Sequence, residues 1–80
     1  MVKVNYEITE PEGLHALPAT ALIEKLNTLN CDVWASLNGQ MIDAKSMFGL
    51  MSLGAKYQDV IEFTACGDDE DKLENILFAQ

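Results

Sequence analysis

Asn38-Gly39 narrows the folds open to this chain more than any other feature. Both central residues of a two-residue type I′ hairpin need positive φ, which Asn and Gly tolerate. The flanks fit the same reading. Cys31, Val33, Ala35 and Leu37 alternate with polar or large residues before the turn, and a return strand over 40–44 follows it. A two-residue loop sets the register, with Leu37 facing Gln40 and Ala35 facing Ile42. Trp34 and Met41 then point to the opposite face of the sheet. There they are either simply exposed on an uncovered face or part of a binding platform.

The same period of two opens the chain. Val2, Val4, Tyr6 and Ile8 alternate with Lys3, Asn5, Glu7 and Thr9, giving a strand with one buried face. Pro11 and Gly13 break it. From 16 to 29 the period becomes helical, with Ala19, Leu22, Ile23 and Leu26 on one face. Pro18 is tolerated only in a first turn, so this helix begins near His15 or Ala16. Residues 45–54 read as a short helix capped by Ser46 and stopped near Gly54, with Gly49 as a weak point. Residues 59–66 form a strand with Ile61, Phe63 and Ala65 on one face. Residues 67–80 form a last helix, capped by Asp68 or Asp69 and striped by Leu73, Ile76 and Leu77.

The order is β-α-β-β-α-β-α over one domain, residues 1–80. A four-stranded antiparallel sheet with one buried face needs a cover, and three amphipathic helices supply it. The expected class is α+β, a two-layer sandwich whose other sheet face is open.

Charge restricts the partners. Thirteen Asp or Glu stand against five Lys and no Arg, a net charge of −8. Nucleic-acid phosphates and anionic membranes both call for basic residues, so neither is an expected partner. No stretch approaches the ~20 apolar residues of a membrane span, and no signal peptide is visible, which leads us to expect a cytoplasmic protein. Cys31 and Cys66 lie far apart in strand-like segments and are expected to be reduced and at least half-buried. No set of ligands at metal spacing surrounds the histidine, and no metal or cofactor is expected.

His15, the single histidine, stands at a helix start in the stretch Gly13-Leu14-His15-Ala16-Leu17-Pro18-Ala19. The first N–H groups of a helix, here those of Ala16 and Leu17, lack intrahelical partners and face anions well. A positive helix end also favours a neutral, nucleophilic imidazole over its cation. On spacing alone His15 is either a surface cap or a nucleophile that carries a phosphoryl group. Ser46 is likewise a cap or a modification site.

Taken together these motifs resemble one family, HPr, the histidine-containing phosphocarriers of the bacterial phosphotransferase system of sugar uptake. "GLHALPA" is similar to the family's active-site pattern G-L-H-A-R-P-A. "NG" at 38–39 matches the family hairpin, "AKSMFGLMSLG" (44–54) resembles its regulatory-serine segment, and "GDDEDK" (67–72) the start of its last helix. The resemblance covers essentially the whole chain. It implies an open-faced β-sandwich and a carrier rather than a stand-alone enzyme. It implies that His15 accepts a phosphoryl group on Nδ1 from Enzyme I, charged by phosphoenolpyruvate, and passes it to Enzyme II A domains. It implies that Ser46 is the target of an ATP-dependent HPr kinase in lineages that have one. It also implies that Met47, Phe48 and Met51 form an apolar patch for partners, and that the protein is a monomer.

One position departs from the pattern. Leu17 replaces an Arg that holds phosphate and meets acidic partner residues. At about 100° per residue, Leu17 falls about 160° from the buried stripe centred on Ala19. Leu17 is therefore an outward-facing leucine, either without consequence or in contact with an altered partner. The alternative function is an HPr-like regulatory protein with weak or no phosphotransfer, acting through Ser46 and the Met47/Phe48/Met51 patch. An acyl carrier protein shares the size and acidity, but Ser46 follows Lys45 rather than an Asp, and the hairpin argues against a helical bundle.

Overall fold

The computed structural model describes residues 1–79. Its hairpin joins β2 (Cys31–Leu37) to β3 (Gln40–Asp43), with Leu37 opposite Gln40 and Ala35 opposite Ile42. Asn38 and Gly39 carry φ of 51° and 83°, the paired positive values this turn requires. β1 (Val2–Glu7) and β4 (Val60–Gly67) complete one antiparallel sheet in the order β1-β4-β2-β3. The fold is α+β, an open-faced β-sandwich with the element order expected from the sequence.

The alternation along each strand separates the two faces. Val33, Ala35, Ile61, Phe63 and Ala65 are buried on the inner face. Helices α1 (Ala16–Leu26), α2 (Met47–Ser52) and α3 (Leu73–Phe78) cover that face. Ala19, Leu22, Leu26, Leu50, Leu73 and Leu77 project from them into the core. Fully burying a leucine of this kind contributes about 1.5–3 kcal/mol. Tyr6 stands edge-on to Phe63, with centroids 5.9 Å apart, and leans on Phe78 at 5.6 Å. No helix is long and apolar enough to cross a membrane among the described residues.

The uncovered face carries Lys3, Trp34, Met41 and Thr64 around a shallow apolar depression that also takes in Met1. Trp34 is half-buried there rather than exposed, and Met41 is exposed.

Several boundaries differ from the sequence reading. The first helix stops at Leu26, not at 29, because the next N–H groups close tighter turns. Thr28 N–H and Leu29 N–H donate three residues back, to Lys25 and Leu26, and the Thr28 hydroxyl takes the Lys25 carbonyl at 2.7 Å. The second helix is only Met47–Ser52, within the expected 45–54, and β4 runs one residue later than expected.

The last helix departs furthest. A 3₁₀ turn, Glu70–Lys72, precedes α3, which ends at Phe78. The expected end at residue 80 lies outside the described residues. Neither Asp68 nor Asp69 caps this helix. Asp69 instead accepts the Asn30 N–H through both carboxylate oxygens, at 2.8 and 3.1 Å, and so ties the start of β2 to the end of β4. That bond holds the Asp69 carboxyl below its ordinary range.

The cysteines divide. Cys31 is buried and Cys66 exposed, against the expectation that both would be at least half-buried. In register Cys31 pairs with Gly67, and Cys66 with Asp32. Cys31 and Cys66 therefore project to opposite faces of the sheet. Burial pushes the Cys31 thiol up, and the neighbouring Asp69 adds to the effect.

Candidate functional site around His15

The loop before α1 is fixed by one close approach. Gly13 has φ +81°, and a Cβ on it would lie 2.6 Å from the Ala55 carbonyl oxygen. Only glycine fits such a conformation and such a gap without strain. Leu14 N–H donates to that same carbonyl at 3.0 Å, and Leu14 is buried. The 54–56 segment thus anchors the chain immediately before the histidine.

His15 is the N-cap residue of α1, in extended conformation with φ −90° and ψ −173°. Its carbonyl accepts the Ala19 N–H at 3.0 Å, the first bond of the helix. Its ring does not cap the helix. The side chain is 40% exposed. Pro18 has no N–H and sits in the first turn, as its lack of a donor dictates. The Ala16 and Leu17 N–H groups, next to His15 in the chain, have no carbonyl one turn before them. An anion held on the imidazole would meet two free donors at the positive end of an eleven-residue helix.

Sequence reading missed one neighbour. Glu12 Oε2 lies 4.0 Å from His15 Nε2, beyond hydrogen-bond length but within ion-pair reach. The signal was available in the i, i+3 spacing, but a turn rather than a helix brings the two together. This contact brings a carboxylate within reach of Nε2.

Leu17 faces outward, 78% exposed, as the helical geometry requires. Its helical neighbour Thr20 donates its hydroxyl to the Ala16 carbonyl at 2.8 Å and lies 3.9 Å from Met47 Sδ. The outer face of α1 is therefore continuous with the start of α2. Met47, Phe48 and Met51 are exposed there, Phe48 to 86%.

Ser46 is the N-cap of α2, its side-chain oxygen accepting the Gly49 N–H at 3.1 Å. Gly49, a weak point by propensity, has a packing reason. A Cβ there would come to 3.1 Å from the Asp43 carbonyl, where α2 crosses the end of β3.

A half-exposed imidazole at a helix start, with the N–H groups of the first turn and an adjoining apolar face, makes up this surface. A sequence model of the family described as the "PTS HPr component phosphorylation site" matches residues 2–77. The chain belongs to the HPr family, the phosphocarriers of the phosphotransferase system. Among solved structures it is similar to HPr-C-His from Thermoanaerobacter tengcongensis, with 34% identity and TM-score 0.90 over 96% of this chain and 86% of that one. It is also similar to the phosphocarrier protein HPr from Bacillus anthracis str. Ames, with 28% identity and TM-score 0.86 over 95% and 92%. A third similar structure is Crh, the Bacillus subtilis catabolite repression HPr, at 33% identity and TM-score 0.66 over 95% and 92%.

Proposed function

We propose that this chain is a cytoplasmic, monomeric phosphocarrier that accepts a phosphoryl group on His15 from Enzyme I and passes it to Enzyme II A domains. The observation that carries this reading is the placement of a half-exposed imidazole at the N-terminus of α1, beside the unpartnered N–H groups of Ala16 and Leu17. The Nδ1 lone pair attacks phosphorus on the donor, the N–P bond to His15 forms, and the donor's own bond to phosphorus breaks. Attack by the acceptor's nucleophile then reverses the event. The phosphoryl oxygens lie against the two backbone donors, which act here without an arginine. Hydrogen bonds to a charged acceptor contribute about 1.5–3 kcal/mol each. The Leu17, Met47, Phe48 and Met51 surface receives the partner.

The test is incubation with phosphoenolpyruvate and the Enzyme I of the same organism. The intact protein gains about 80 Da, one phosphoryl group, in an acid-labile linkage, and His15→Ala gains none. No gain of mass in the unaltered chain sinks the reading.

A second reading rests on Leu17. With a leucine where the family pattern has arginine, and with Ser46 at a helix start, the chain is also suited to regulation with weak or no transfer. In that case an ATP-dependent HPr kinase phosphorylates Ser46, and regulatory partners bind the Met47/Phe48/Met51 patch independently of His15. Partners retained by His15→Ala and lost by Phe48→Ala favour it, and the reverse pattern excludes it.

A further inference from the structure

The surface around His15 has a second property beside its nucleophile, which is the pairing of an apolar centre with an acidic rim. Isolated exposed apolar side chains are ordinary, but contiguous ones mark contact surfaces. Here Leu17 and Thr20 share a face of α1, and Thr20 touches Met47. Met47 and Met51 lie one turn apart on α2 with Phe48 beside them, and all three are exposed. Leu17 thus extends the methionine and phenylalanine patch across the helix boundary to the histidine.

Several acidic side chains border the histidine end of that surface. Glu10 and Glu12 are exposed on the turn before His15, and Glu24 continues the Leu17 and Thr20 face two turns along α1. Asp59 lies behind the turn, its carboxylate accepting the Lys56 N–H at 2.8 Å. Lys56, on the segment packed against Gly13, offsets one of these charges. Two other lysines are engaged elsewhere. Lys25 donates to the Ala79 carbonyl and Lys45 to the Leu29 carbonyl, each at 2.7 Å. Arg is absent from the chain, whose net charge is −8.

We propose that the protein which exchanges phosphoryl groups with His15 presents an apolar depression for Leu17 and Phe48, ringed by lysine or arginine. This inference rests on the phosphocarrier reading above and adds the sign of the partner's charge. Complementary charge raises the encounter rate and falls off with salt, whereas like charge does the opposite. An acidic partner face would meet Glu10, Glu12 and Glu24 with repulsion, and nothing at position 17 would offset it.

The test is the salt dependence of phosphorylation of the full chain by the Enzyme I of the same organism. We expect kcat/KM to fall about tenfold or more between roughly 0.02 and 0.3 M ionic strength while kcat holds. Leu17→Arg should lower kcat/KM several-fold, since it puts a cation against a basic face and removes the apolar contact. A kcat/KM that stays level or rises with salt overturns the inference, and so does faster transfer by Leu17→Arg. In either case transfer to His15 still occurs and the phosphocarrier reading stands. If no phosphoryl group reaches His15 at any salt, that reading fails and this inference fails with it.

Discussion

Gly13 and Ala55 are locked at a separation that leaves no room for a side chain. A Cβ on Gly13 would lie 2.6 Å from the Ala55 carbonyl oxygen, which also accepts the Leu14 N–H at 3.0 Å. The position of His15 is thus set by a segment forty residues further along the chain, not by the helix alone.

Gly13→Ala should therefore act on both stability and transfer. Positive φ for a non-glycine residue costs about 1–3 kcal/mol, and the clash adds to it. A lower urea midpoint and slower phosphorylation of His15 are expected together. Ala55→Gly, which leaves the carbonyl in place, should affect transfer far less. Urea titration and a single-turnover assay on both variants make the comparison.

Ser46 has a structural task that any modification must displace. Its side-chain oxygen holds the Gly49 N–H. Removing such a cap costs about 1 kcal/mol, so Ser46→Ala should lose about that much by denaturant titration. Ser46→Asp keeps an acceptor at the cap and should lose less than half as much.

Asp69 makes stability depend on acidity. Its carboxyl is held below the ordinary value of 3.8, first by the Asn30 N–H. A depressed folded-state value means the stabilisation is complete above the unfolded-state value and is lost as pH falls through the folded one. Asp69→Asn resembles the protonated acid. It should unfold at lower urea than the parent at pH 7, and the difference should close as pH drops below the ordinary carboxylate range. A constant difference across that range would show that the charge is irrelevant.

The parts of the fold legible in the sequence are those governed by local rules. Asn38-Gly39 set the hairpin and its register, since turn geometry leaves one pairing. Pro18 set the helix start, and helical geometry alone turned Leu17 outward. The parts that were not legible depend on contacts distant in sequence. Asp69 carries the sequence mark of a helix cap, yet Asn30, thirty-nine residues away, takes its carboxylate. The packing reason for Gly49 is the Asp43 carbonyl, and that for Gly13 is Ala55. Near His15 the motif supplied the ring and the backbone donors. It supplied neither Glu12 beside Nε2 nor the bridge from Thr20 to Met47, because both need the loop and helix orientations first.

The central proposal is that His15 carries a phosphoryl group on Nδ1. The direct measurement is a long-range proton–nitrogen NMR spectrum of the ¹⁵N-labelled protein during phosphorylation by Enzyme I and phosphoenolpyruvate. The account predicts that the His15 Nδ1 resonance shifts and couples to phosphorus, while Nε2 keeps its proton. An unchanged imidazole spectrum under full turnover conditions, or phosphorus coupled to Nε2, would contradict it.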